Sequence, residues 1–410
     1  VTIELHPGGI ACNLRCSYCY QNPMRDREGN ARPRADLQPM LDRALDVARR
    51  MSATSVGLFG GEALLLRDEE VERIAAWAAE NRLDLGLQTN AALLTPARVE
   101  LLDRLGVRSP GVSMDGPGEL NDARWAGSLA STRAATRRSE AMLDLMLERG
   151  FRVELHVVLS RVNAAPGERL ERLAAWVEAL GERGLTGLNA HLLELDDRAA
   201  AIALTDDDTV EAVWRLAHLR GVRSKMYDEM VALLRGKGET GCVWNACDPM
   251  VTQAVQAVYP DGSLRNCGRV NKAGYNSPKP DVPTTRLRQR ALWATGQDAG
   301  GCRDCRFFAA CKGHCPGSAE GGDWRRRTSH CAVLMALFER IEAEMTAAGE
   351  RPWTLDAEQR DAMVGALLED RHVGGVKYEA GHDDSPHSDW HLDSNVAERP
   401  LSGVLEVVAG

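Results

Sequence analysis

The chain has 410 residues, 44% hydrophobic and 27% charged, with a formal net charge of -9, which suits a large buried core divided among about two or three domains. No apolar run reaches membrane-spanning length and no signal-peptide pattern is present, so a membrane partner is not expected and a cytoplasmic location is. Arginines and acids are intermixed, which argues against a duplex nucleic-acid partner, since that needs a concentrated basic surface. From the start, short apolar runs alternate with longer amphipathic segments. Strands are expected at residues 2–6, 55–59, 83–88, 111–114, 152–159 and 188–193, and helices at 37–50, 69–81, 95–105, 131–149, 167–183 and 206–219. Six β-α units in series imply an α/β fold with a parallel sheet and right-handed crossovers, two units short of an eight-unit barrel.

A bridging helix is expected at 224–234, after which the periodicity stops and a Cys, Gly and Pro-rich region begins. Within it, a strand at 254–259, the turn Pro260-Asp261-Gly262 and a return to Cys267 form a β-hairpin. Amphipathic helices follow at 332–348 and 355–368. The expected domains are therefore 1–223, a linker at 224–241, a cysteine-rich domain at 242–349 and a tail at 350–410. From Arg371 the tail carries His372, His382, His387 and His391 among Asp383, Asp384, Asp389 and Asp393. A solvated tail is preferred there over a metal site, with an apolar end at 401–408 expected to dock as an added strand or as a flap over the barrel mouth.

Chemistry enters with Cys12, Cys16 and Cys19, spaced C-x3-C-x2-C. Three thiolates leave one iron of a four-iron cluster open to bind and activate a small molecule, whereas a closed four-cysteine site serves electron transfer. A zinc site is the alternative, but zinc usually takes four ligands in short pairs and this loop offers one short pair plus an extra cysteine. With Tyr18 just before the last cysteine, the loop resembles the signature of radical S-adenosylmethionine (SAM) enzymes. The resemblance implies a partial (β/α)6 TIM-type barrel whose open iron chelates SAM. Reductive cleavage then gives methionine and a 5'-deoxyadenosyl radical that abstracts hydrogen from carbon, the electron coming from a flavodoxin- or ferredoxin-type partner.

The active site of such a barrel lies at the carboxyl ends of its strands. Gly60, Gly61 and Glu62 end the second expected strand, where glycines admit close backbone approach and a carboxylate accepts bonds from an ammonium group. In the family this motif holds the SAM amino group. Thr89 and Asn90 after the third strand, and Ser113 and Asp115 after the fourth, resemble segments lining the SAM pocket. Asn90 and Asp115 equally suit turns or helix caps.

The eight further cysteines resemble the SPASM extension, a small domain with two auxiliary clusters. The seven-cysteine signature matches at Cys247-x14-Gly262-x4-Cys267, at Cys302-x2-Cys305-x5-Cys311-x3-Cys315 and at Cys331. The family's interleaved ligation would place Cys242, Cys247, Cys267 and Cys315 on one [4Fe-4S] cluster and Cys302, Cys305, Cys311 and Cys331 on the other, making three clusters with the SAM site. Cys242 lies outside the signature; without it, the first auxiliary cluster has an open iron. Structural zinc is the alternative here too. The resemblance implies an oxidase acting on a peptide or protein side chain, in the manner of ribosomal-peptide maturases. Rivals are a small-molecule radical dehydrogenase and a non-enzymatic electron carrier. Sulfatase-maturing relatives place an Asp after the cysteine equivalent to Cys267; this chain has Gly268, which disfavours formylglycine formation. The catalytic base is not readable.

Overall fold

The computed structural model describes residues 2–33, 35–195, 198–237, 241–250, 255–272 and 286–369. The histidine-bearing tail and its apolar end lie outside the described residues. Two compact units are present, Val1–Asp228 with Val255–Asn276, and Glu229–Ala254 with Ser277–Gly410. Among the described residues no helix is long and apolar enough to cross a membrane.

In the first unit, β1 (Thr2–Leu5), β2 (Ser55–Leu58), β3 (Asp84–Thr89), β4 (Pro110–Ser113), β5 (Glu154–Val158) and β6 (Gly187–His191) pair in sequence order, all parallel. Helices α1 (Asn22–Glu28), α2 (Gln38–Arg50), α3 (Asp68–Glu80), α4 (Pro96–Arg104), α5 (Leu129–Glu148), α6 (Glu168–Glu182) and α7 (Asp206–Ala217) connect them. This is the expected partial barrel, and each expected strand and barrel helix is found within two residues of its expected ends. Side-chain hydroxyls set several helix starts: Thr95 accepts from the Arg98 amide and Ser128 from the Ser131 amide, each satisfying an N-terminal N–H that the helix leaves open.

Two-residue alternation divides each strand between two faces. Leu5, Leu58, Leu87, Val112, Leu155, Val157 and Leu188 are fully or nearly fully buried with Met40, Leu41, Ile74, Val99 and Leu173 of the helices. The other parity, including Gly57, Gln88, Gly111, Ser113, Glu154, His156, Asn189 and His191, lines the half-buried inner face. The sheet runs on at both edges, to the two-residue β7 (Arg223–Ser224) beside β6 and to β8 (Val255–Val258) parallel to β1, with β9 (Leu264–Arg265) antiparallel to β8. The hairpin expected inside the cysteine-rich domain thus extends the barrel sheet instead. All four residues of β8 are buried, as a strand enclosed on both faces requires. After it comes the short helix α9 (Gly268–Asn271).

Helix α8 (Lys225–Leu234) leads from the first unit into the second. The second unit holds α10 (Leu287–Ala294), α11 (Phe308–Cys311), α12 (Cys331–Ala347) and α13 (Ala357–Leu368) around an aromatic core. Phe307 stacks on Phe338 at 5.1 Å, Trp244 meets Phe338 edge-on at 6.0 Å, and Trp293 stacks on Phe308 at 5.2 Å. Such ring pairs add stabilisation beyond their buried area.

Candidate active site

The loop between β1 and α1 carries Cys12, Cys16 and Cys19, and the end of β2 fixes its path. Gly61 donates its amide to Gly9 O at 3.1 Å and Glu62 donates to Ala11 O at 2.9 Å. A Cβ on Gly61 would stand 2.1 Å from Ala11 O, and Gly60 has φ +132 with its Cβ position 2.8 Å from Gly9 O. The close approach these glycines permit is therefore to the chain's own cysteine loop. Asn30 clamps the same loop, accepting from the Cys12 amide at 3.0 Å and donating to Cys12 O at 2.9 Å.

Two polar networks hold the expected residues together. In the first, the buried Glu62 carboxylate accepts from the Leu64 amide at 3.0 Å, the Thr89 hydroxyl at 2.7 Å and the Asn90 amide at 2.8 Å. Burial nonetheless pushes its pKa up. Asn90 Nδ2 donates to Asn13 Oδ1 at 2.9 Å and lies 3.9 Å from Cys12 Sγ. In the second, the Tyr18 hydroxyl donates to Asp115, which also accepts from Arg124 Nη2 and the Val158 amide, each at 2.9 Å. Arg124 lies over the Tyr18 ring. Asp115, expected in the SAM pocket, thus ties the cysteine loop to β4 and β5. Ser113 stands apart from both networks and accepts from Gln88 at 2.6 Å.

The sequence reading missed several groups. Arg25 is buried and donates to Cys19 Sγ at 2.9 Å, Ile10 O at 3.0 Å and Asn22 Oδ1 at 3.0 Å. Its guanidinium thus rests against a thiol of the three-cysteine loop. On the inner face, His156 Nδ1 and His191 Nε2 are 3.0 Å apart, and His156 Nε2 lies 3.3 Å from Glu154. Against burial, His156 and Lys225 hold the Glu154 carboxyl down to about 2. Burial, then the charges of His156, Arg269, Lys225 and Arg124, holds His191 well below its usual value and therefore neutral. Register puts Ser113 opposite His156 and Val158 opposite His191, so this pair adjoins the expected SAM pocket. Lone histidines on short strands gave no signal of it.

In the second unit, Cys302, Cys305, Cys311 and Cys331 line one pocket with Phe307, Phe308, Leu334 and Phe338. Burial pushes the Cys302 thiol up to about 12 and that of Cys311 well above its usual value, with the neighbouring cysteines adding to both. In the cysteine loop of the first unit, burial and Glu62 push Cys12 up to about 11. Buried thiols of this kind are neutral until a metal takes their protons. None of the eleven cysteines forms a disulfide. Among the described residues no three His, Cys, Asp or Glu side chains are placed to hold one metal ion, although a zinc ion with about 2.3 Å bonds needs its sulfurs nearly in contact. The four thiols that line the pocket are the donor set a multi-iron group takes, one thiolate to each iron. The other expected set is drawn from both units: Cys267 belongs to the first, and Cys242, Cys247 and Cys315 to the second. The thiols of Cys19 and Cys267 both act on half-buried Tyr20, whose pKa burial raises.

A three-cysteine loop follows the first strand of a partial parallel barrel, and the chain carries a radical SAM domain, which implies a [4Fe-4S] cluster and SAM. Residues 8–180 match the family model described as the Radical SAM superfamily, and a cysteine-rich region follows. Over 140 residues, 33% of this chain, the sequence is 36% identical to GTP 3',8-cyclase of Synechococcus sp. (strain CC9902), and the match covers 37% of that relative's length. The fold is similar to native anSMEcpe with bound AdoMet and Cp18Cys peptide (TM-score 0.63, 18% identity, 85% of this chain and 98% of that one). It is also similar to Streptococcus suis SuiB bound to S-adenosylmethionine (TM-score 0.53, 17% identity, 80% of this chain and 76% of that one).

Proposed function

We propose that the chain is a radical SAM/SPASM oxidase that abstracts hydrogen from a peptide or protein side chain, maturing a ribosomally made peptide by cross-linking or residue oxidation. The observation that carries this reading is the aromatic-walled pocket of four thiols in the second unit, a second redox-capable site beyond the SAM loop. It lies on a fold shared over 85% of the chain with a protein solved with a bound peptide. In this reading Cys12, Cys16 and Cys19 hold the SAM cluster, and the segments 60–62, 89–90, 113 and 115 with Tyr18 form the SAM pocket around it. The eight later cysteines hold two auxiliary clusters, and an external flavodoxin- or ferredoxin-type protein supplies electrons. The proposed domains keep their sequence bounds, with the segment around β8 and β9 shared with the barrel sheet. When bound, the clusters supply one-electron chemistry. The protein's own part is to hold the cysteine loop through Gly60, Gly61 and Asp115 and to exclude water by burial.

The similarity to GTP 3',8-cyclases covers 33% of this chain at 36% identity in one relative and 70% of it at 27% identity in another, and neither match reaches the level at which a substrate carries over. Formylglycine formation is disfavoured by Gly268, which stands where sulfatase-maturing relatives place an Asp. A side chain at position 268 would begin 2.9 Å from Gln21 Nε2 and 3.0 Å from the Tyr20 ring, so these side chains would have to shift to admit one. The test is anaerobic co-expression with short peptide genes found beside this one, followed by mass spectrometry of the peptides. A loss of hydrogen in one peptide that depends on Cys12, Cys16 and Cys19 supports the reading. SAM cleavage with every candidate peptide unchanged, and turnover of a small alcohol instead, refutes it.

A further inference from the structure

Arg288, in α10, is fully buried, and it stands where a cation has no ordinary reason to be. Its backbone amide donates to Asp248 at 2.8 Å, which caps the helix start. The guanidinium itself meets only carbonyl oxygens: Trp324 at 2.7 Å, His314 and Gly313 at 2.8 Å, Arg326 at 3.2 Å and Lys312 at 3.3 Å. Among the described residues no carboxylate forms an ion pair with it. Burying a charge that way is costly unless other charge balances it. Besides Asp248 at its backbone amide, the groups whose negative charge acts on Arg288 most are the thiols of Cys247, Cys315, Cys302 and Cys311.

The loop it grips is strained. Lys312, Gly313 and His314 are three successive residues at positive φ, +53, +75 and +55, a conformation that costs a non-glycine residue roughly 1–2 kcal/mol. That conformation turns their carbonyls toward one fork, and a Cβ on Gly313 would lie 3.3 Å from both terminal guanidinium nitrogens. A planar multi-donor cation suits such an array. Lys312 is buried as well and donates to Trp244 O at 2.8 Å, which places a second cation in the short loop between Cys311 and Cys315.

We propose that Arg288 is a buried counter-charge for the iron–sulfur groups held on either side of the Cys311–Cys315 loop, and that it sets their reduction potentials. This rests on the reading that those cysteines ligate auxiliary clusters. Four thiolates on a four-iron core carry net negative charge, and reduction adds one more, so a fixed cation nearby favours the reduced form and raises the potential. Arg288 touches no reacting atom and acts as a positioning and tuning residue.

The test uses the full chain with Cys12, Cys16 and Cys19 changed to Ala, so that any iron and any paramagnetic signal come from the auxiliary sites. Arg288→Gln and Arg288→Lys are added, and iron content and EPR-monitored redox titrations are compared after anaerobic reconstitution. The expected result is a shift of the auxiliary midpoint to lower potential in R288Q and a midpoint near that of the parent in R288K. If R288Q does not hold iron, restored loading in R288K supports the counter-charge, and equal loss in both variants overturns it. An unchanged midpoint in an iron-loaded R288Q also overturns it. A parent protein that binds no auxiliary iron removes the reading underneath, and that result needs no change at Arg288 to be seen.

Discussion

Replacing Gly61 with Ala tests the central mechanical argument, that the end of β2 sets the position of the cysteine loop. The new Cβ would begin 2.1 Å from Ala11 O, 2.3 Å from Ile10 O and 2.5 Å from Ala11 C. All are backbone atoms, so no side chain can swing aside. Opening the closest contact from 2.1 Å to an ordinary 3.4 Å moves the loop by about 1.3 Å, because repulsion rises steeply inside van der Waals contact. That shift breaks the hydrogen bonds from Gly61 to Gly9 and from Glu62 to Ala11, at roughly 0.5–1.5 kcal/mol each. Overpacking adds about 1–3 kcal/mol, so the total is on the order of 2–6 kcal/mol against a domain stability of about 5–15 kcal/mol. The catalytic loss should be larger than the stability loss suggests, since a misplacement of about 1 Å can cost on the order of a hundredfold in rate. The assay is 5'-deoxyadenosine formed per chain under anaerobic reducing conditions, with iron content and thermal unfolding measured on the same sample. Gly365→Ala is the control, a helical glycine with nothing within 4 Å of its Cβ position. A G61A protein that cleaves SAM at the wild-type rate with an unchanged unfolding midpoint would refute the argument.

Asp115→Asn leaves Arg124 and Tyr18 without their buried carboxylate, and breaking a buried pair costs about 3–5 kcal/mol; denaturant unfolding that matches wild type contradicts the assignment. Changing Cys302, Cys305, Cys311 and Cys331 together to Ala should remove about four irons per chain, and loss of about one zinc instead would support the structural-metal alternative. Glu154 has a folded pKa of about 2 against an ordinary 4.5, so its contribution is fully present above about pH 4.5 and disappears as pH falls toward 2. Glu154→Gln should therefore lower the urea midpoint at pH 6 and converge with wild type in acid, and a gap that stays constant with pH counts against the His156 contact.

The barrel was legible because its signals are local and repeated. Six apolar runs with β-strand length, separated by helical periodicity, place β1 to β6 and the helices between them, and C-x3-C-x2-C locates the cysteine loop on the first crossover. What the sequence concealed was partnership across long separations. Val255–Val258 reads as the start of a hairpin in a new domain, and the hydrophobic pattern is right for a strand. Only pairing with Thr2–Leu5, some 250 residues away along the chain, shows that it extends the barrel. The same holds for Asp115: a carboxylate at a strand end suits a ligand pocket, and its use by Tyr18 spans a 97-residue separation that no periodicity encodes. Arg25, Arg124 and Arg288 escaped notice because arginine is ordinarily solvent-exposed, and nothing in a local window marks the few that are buried.

The buried arginines also show how the two cysteine sites differ. In the first unit the cysteine loop is fixed by main chain, through glycines at the end of β2 and the Asn30 clamp, and it rests on a sheet whose apolar face is closed by helices. That scaffold keeps its core whether or not a metal is held. In the second unit the described helices are few, α11 has four residues, and the Cys311–Cys315 loop is strained and organised around Arg288 rather than around a sheet. A small unit with neutral buried thiols beside buried cations has little to offset those charges until thiolates form, and thiolates form when metal is bound. On the proposed reading, metal loading would complete the folding of the second unit and only equip the first. The barrel would then stay intact while the second unit assembles, and removal of iron should be felt first in the segment from Arg288 to Cys331.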